Sequence, residues 1–151
     1  MAQVHVAPPV TLPCECRTYA PGPGDDGPVS FDLQAFPPSG PRTVPEVLQV
    51  LDAEEQRLIT GTDDALPPFD REMTQFVDEI RRRWPSLEDH PESPWSVSPD
   101  WKPMTGGGTG FAIVWSRADE MYAAVLEIAA RTNVIIYDPQ AGEVILPPGL
   151  N

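Results

Sequence analysis

The chain is 151 residues long and carries 10 Lys and Arg against 23 Asp and Glu, a formal charge of -13 at pH 7. That length accommodates one domain with a real core and argues against two. The acidity argues against direct binding of nucleic acid phosphates, which depends on Lys and Arg displacing counterions, and favours positively charged partners or plain solubility.

Residues 1–28 hold six of the 20 prolines together with Gly22, Gly24 and Gly27. Missing amide donors and the entropy lost by glycine disfavour regular structure beyond a short extended Gln3 to Val6. The segment reads as an arm, a flexible leader, an edge strand laid along the domain, or the product of an upstream start. It lacks a basic region before an apolar core, so it does not resemble a secretory signal. No run in the chain reaches the roughly 18 apolar residues of a membrane helix, and a cytoplasmic protein without membrane contact is expected. Cys14 and Cys16, one residue apart, make neither a C-x-x-C redox motif nor half of a zinc site, and His5 and His90 do not complete one. No metal or other cofactor is expected.

From Val29 to Phe36, Phe31, Leu33 and Ala35 alternate with Ser30, Asp32 and Gln34, the period of a half-buried strand. Thr43 stands three residues before Glu46, a capping box, and Val44, Val47, Leu48, Leu51 and Leu58 give the helix it opens an apolar stripe ending at Gly61. A polar loop through Asp63 and Asp64 follows. Phe69, Met73, Phe76, Val77, Ile80 and Trp84 then recur at helical spacing. Arg81, Arg82 and Arg83 complement the carbonyl end of that helix, and Pro85 stops it.

Residues 85–104 are rich in Pro and acids, with Trp95 and Trp101 embedded in SPWSVSPDW. A short strand around Trp95 to Ser98 is expected, and the two indoles either cap the core or anchor an interface. Gly106, Gly107, Gly108 and Gly110 lead into a strand, Thr109 to Trp115, rather than a helix, and no P-loop Lys follows, so they read as a turn and not a phosphate loop. Ser116 and Asp119 suggest a cap for the next helix, whose buried face is Ala118, Met121, Tyr122, Val125, Leu126 and Ala129. Val134 to Tyr137 and Glu143 to Leu146 flank a short connection, as in a hairpin. The element order predicts an α+β fold over residues 29–151, one domain with a mainly antiparallel sheet of about four or five strands and three helices packed on one face.

Five short motifs occur in order: Ser30-Phe31-Asp32-Leu33, Trp84-Pro85-Ser86-Leu87, Ser93-Pro94-Trp95, Val114-Trp115-Ser116-Arg117 and Tyr137-Asp138-Pro139-Gln140. From Ser30 onward the chain thereby resembles a widespread family of small stand-alone bacterial proteins of largely unassigned function. The resemblance carries no catalytic residues. Small acidic members of that family are similar in size and composition to immunity proteins of bacterial toxin systems.

An immunity or antitoxin protein that blocks the basic active face of a toxin is therefore the leading expectation. Its contact residues would be Asp63, Asp64, Glu88, Asp89 and Glu92, with Trp95 and Trp101 as apolar anchors. Thirteen acids and six bases between Ser39 and Glu92 concentrate negative charge beside those tryptophans. A non-catalytic adaptor or assembly subunit shares most of these features. A small enzyme would have to draw its acid and base groups from Asp32, Tyr137, Asp138 and His90.

Overall fold

The structure, a computed structural model, describes residues 30–61 and 66–150. The N-terminal arm, Cys14, Cys16, His5, Asp63 and Asp64 lie outside the described residues.

Strand β1 (Ser30–Phe36) sends Phe31, Leu33 and Ala35 to one side of the sheet and Phe36 to the other, so both sides need a cover. It pairs antiparallel with β2 (Thr109–Val114) and with β3 (Ile135–Asp138), and β3 pairs antiparallel with β4 (Glu143–Ile145). Among the described residues the sheet has four strands, in the order β2-β1-β3-β4. Leu33 stands opposite Phe111 and Ala35 opposite Ile136 on one face, while Phe36 stands opposite Ile135 and Gln34 opposite Tyr137 on the other. The expected hairpin of the last two strands is present.

Among the described residues, three helices accompany the sheet: α1 (Val44–Thr60), α2 (Arg71–Arg83) and α3 (Ala118–Thr132). Helices α2 and α3 cover the first face, where Met73, Phe76, Val77, Ile80, Met121, Val125, Ile128 and Ala129 meet Phe31, Leu33, Ala35, Phe111 and Ile113. Each large side chain removed from water here stabilises the fold by about 1.5–3 kcal/mol. An ion pair between Arg131 and Glu79 ties the two helices. Helix α1 lies against the other face, its Val47 packed with Phe36, Ile135 and Tyr137. The expected α+β domain is present, but its helices do not share one face. Phe36, a bulky apolar group on the otherwise polar side of β1, is the physical reason.

The cap expected for α1 is present, the one expected for α3 is not, and α2 has a cap that was not expected. Thr43 accepts from the Glu46 amide, Glu46 accepts from the Arg42 amide at 3.1 Å, and Gly61 ends α1 in the left-handed region at φ 65°. Asp70 caps α2, accepting from the Met73 amide at 2.9 Å. Ser116 does not cap α3. A single 3₁₀ turn, Trp115–Arg117, intervenes, and the N-cap position falls on Arg117, whose side chain makes no capping bond.

The outer edge of β2 is shielded by the tryptophan loop rather than by a full strand. Trp95 forms one isolated bridge with Ile113, Ser96 N donates to Ala112 O at 3.0 Å and Val114 N donates to Pro94 O at 2.8 Å. The strand expected around Trp95 to Ser98 thus contracts to a single bridge, enough to occupy edge groups that would otherwise be open to pairing.

Candidate acidic surface and grooves

The loop from Trp84 to Trp101 is fastened at both ends and in the middle. Trp84 closes α2, and its carbonyl accepts from Trp95 Nε1 at 3.0 Å. Leu87 N donates to Ser98 Oγ at 2.9 Å, and the Ser98 hydroxyl donates to Glu88 Oε1 at 3.2 Å. Arg117, in the turn before α3, donates to Glu92 O at 2.7 Å. These bonds cross the loop, so its carboxylates stand on a defined backbone rather than a wandering one.

Glu88, Asp89 and Glu92 are all exposed on this loop. The backbone amide of Glu88 itself, and then the Ser86 and Ser98 hydroxyls, hold its carboxyl below the usual range. The same kind of amide bond, followed by His90, lowers Glu92. His90 Nδ1 lies 3.1 Å from Glu92 Oε2. Hydrogen bonds to the ionised form favour it, so both glutamates are biased towards the charged form.

The two tryptophans part company. Trp95 is only 2% exposed and belongs to the core, which removes it from the candidate contact set. Its ring meets Trp101 edge-on at 5.6 Å and Phe111 at 5.9 Å. An indole in a polar loop could bury itself because the Trp84 carbonyl supplied a partner for its N–H. Trp101 is half-buried and takes φ 51°, a left-handed conformation uncommon for a bulky residue, with its ring held against Trp95 and Phe111.

Two open grooves meet at Pro99 and Asp100. One, of about 710 Å³, lies at the carbonyl end of α2 between Trp84 and Trp101, lined by Asp78, Asp89 and Asp100 together with Arg81 and Arg82. Arg83 already stacks over the Trp84 ring, 5.0 Å from its centroid. The other, of about 390 Å³, lies over the polar side of β1 and β2, bounded by Asp32, Gln34, Gly110 and Ala112 on the sheet and by Val97 to Asp100 on the loop. Sequence reasoning passed over Asp100 and Gln34. Gln34 was visible as a polar residue on the outward side of β1, but the closeness of Asp100 depends on the long-range path of the loop.

The residues offered for acid and base chemistry occupy structural posts. Asp138 is 1% exposed, and its Oδ1 accepts from Gln140 N at 2.9 Å, Gln140 Nε2 at 2.8 Å and Ala141 N at 3.2 Å. Gln140 also donates to Asp32 O and accepts from Asp32 N, both at 2.9 Å, so a side-chain amide continues the ladder of β1 where β3 stops. Tyr137 is buried on the α1 side, and His90 is exposed beside Glu92.

The five sequence motifs therefore bind one another. The aspartate of the first pairs with the glutamine of the last, the second accepts from the indole of the third, and the third is stitched to the fourth through Pro94 and Val114. Trp115 of the fourth packs on Phe31 of the first at 5.4 Å. Each motif thus has a packing or hydrogen-bonding contact with another, several of them through backbone atoms.

Comparison with protein-family models, with curated proteins and with solved structures found no match. No helix among the described residues is long and apolar enough to cross a membrane.

Proposed function

We propose that this chain is an immunity- or antitoxin-type protein that binds a basic protein face and acts without catalysis. The observation that supports it is the fastened Trp84–Trp101 loop, which presents Glu88, Asp89 and Glu92 to solvent with two of the three carboxyls biased towards the charged form. Fixed negative charge on a molecule of formal charge -13 speeds encounter with a cationic partner and aligns it before close contact forms. The small size and acidic composition, similar to those of immunity proteins of bacterial toxin systems, point the same way.

The test is capture of the product of the adjacent gene, together with rescue of cells that express it. Glu88→Gln, Asp89→Asn and Glu92→Gln combined should slow association by about tenfold at low salt and leave dissociation nearly unchanged, because long-range steering acts on the encounter. A neighbouring product that is neither toxic nor bound would sink the proposal.

A different observation favours the adaptor or assembly reading. Leu48, Leu58 and Ile59 of α1 are 52%, 65% and 67% exposed. Partner capture that ignores salt and is lost on Leu58→Ser would place the contact there instead.

A further inference from the structure

We propose that the outer edge of β4, together with an apolar pocket beside it, is a docking site for an extended, cationic segment of another protein. This contact is separate from the acidic loop, which lies at the opposite edge of the sheet. The two edges differ in how they are covered. At β2, Ser96 N and Pro94 O occupy the edge, whereas among the described residues no backbone bond joins Glu143, Val144 or Ile145 to any element but β3. A strand edge with open N–H and C=O groups is a template on which a further strand can add.

A second observation is independent of the backbone. At the seam of α3 and the sheet, a cavity of about 40 Å³ is bounded by Leu126, Ala129 and Ala130 of the helix and by Ile136 and Ile145 of the strands, and every residue lining it is apolar. Water finds few partners in such a cavity, so a short aliphatic side chain such as valine is its best occupant. Backbone pairing supplies affinity at a sheet edge, and a pocket for an alternate side chain supplies specificity. Pro147 and Pro148 have no N–H to donate, so the added strand pairs with Glu143 to Leu146 at most. Charge sets the rest of the segment. Glu143, at the start of β4, enters none of the ion pairs among the described residues, and the whole chain carries -13. A segment bearing Lys or Arg is therefore attracted, while an acidic one, or a second copy of this chain, is repelled.

The experiment titrates the full chain with the peptide acetyl-Lys-Val-Lys-Val-Lys amide and follows amide chemical shifts. The resonances of Glu143, Val144 and Ile145 should move with a dissociation constant on the order of 1 mM, as suits a ladder of three or four residues. The same peptide N-methylated at every residue keeps its charges and side chains but has lost its backbone donors, and should bind about tenfold more weakly or not at all. Acetyl-Glu-Val-Glu-Val-Glu amide should leave the three resonances in place. Ala130→Leu, at an exposed position of α3 that tolerates leucine, fills the pocket and should weaken the response to the basic peptide by about tenfold. Equal responses to the parent and methylated peptides, equal responses to the basic and acidic ones, or a response unaltered by Ala130→Leu would each overturn the proposal. A basic peptide that shifts Glu88 to Glu92 and leaves Glu143 to Ile145 still would overturn it too, and would leave the acidic-loop reading standing.

Discussion

Glu54 gives the sharpest quantitative handle on this fold. Its carboxylate receives Arg57 Nε at 3.1 Å and Arg57 Nη2 at 2.7 Å from its own helix, and Thr105 N at 2.9 Å and Thr105 Oγ1 at 2.7 Å from the turn before β2. The Arg57 bond, helped by those from Thr105 and opposed by burial, holds its pKa at about 2 against an ordinary 4.5. Integrated over pH, a depression of that size corresponds to at most about 3 kcal/mol of folded-state stability at neutrality. Glu54→Gln keeps the shape and an acceptor for Thr105 but loses the charge, so about 2 kcal/mol of loss is expected at pH 7. Because the folded pKa is depressed, that contribution is whole above pH 4.5 and disappears as pH falls through about 2. Urea unfolding followed by tryptophan fluorescence should therefore show a constant gap between the parent and the variant from neutrality down to about pH 5, closing towards pH 2. A gap that persists unchanged at pH 2 would mean that shape and not charge is responsible. No gap at pH 7 would refute the account altogether. Val47 is the one fully buried side chain of α1, so loss of the Glu54 tie should also raise amide exchange in that helix before the rest of the domain opens.

Three further substitutions test close approach and ladder completion. A Cβ on Gly108 would sit 2.3 Å from Ala35 O and 2.6 Å from a Phe36 ring carbon, so Gly108→Ala should cost about 3 kcal/mol, against about 1 kcal/mol for Gly61→Ala, where only the positive φ resists the side chain. Denaturant midpoints decide between them, and equal losses would show that the backbone around Gly108 gives way. Gln140→Leu removes the partners of Asp32 N and Asp32 O; a loss of about 1–2 kcal/mol is expected, tempered by water reaching exposed Asp32, with faster exchange of the Asp32 amide as the specific sign. Unchanged exchange there would show that β1 does not need the glutamine.

What could be read from the sequence was local and periodic. The stripe of Met73, Phe76, Val77 and Ile80 is the buried face of α2, and the alternation of Phe31, Leu33 and Ala35 is the buried face of β1, because side-chain period is fixed by the backbone whatever surrounds it. Phe36 carried more information than the alternation alone conveyed: as the next residue after Ala35 it had to point away from that core, and a phenylalanine pointing away from one core calls for another. Helix α1 supplies it, with Val47. The fate of Trp95 was not local at all. Nothing in SPWSVSP tells whether a carbonyl eleven residues earlier will be free to receive its N–H, or whether β2 will have an open edge to accept Pro94 to Ser96.

The same distinction separates the firm from the proposed in the functional surface. Glu88, Asp89 and Glu92 were picked out by composition, and their exposure on a loop pinned by Arg117 and Ser98 is a tertiary property that composition did not contain. Pinning matters for recognition because an acidic loop that must be ordered by its partner loses binding free energy to that ordering, about 0.5–1.5 kcal/mol for each long side chain immobilised. Here much of the backbone ordering is supplied by bonds within the chain. Asp100 then acquires a place that its sequence neighbours could not indicate: one residue before the strained Trp101, it stands at the junction of both grooves. Trp101→Gly permits the same φ but removes the ring packed on Trp95 and Phe111, so a net loss of about 2 kcal/mol is expected in urea unfolding; no loss would show that relief of the backbone outweighs the packing.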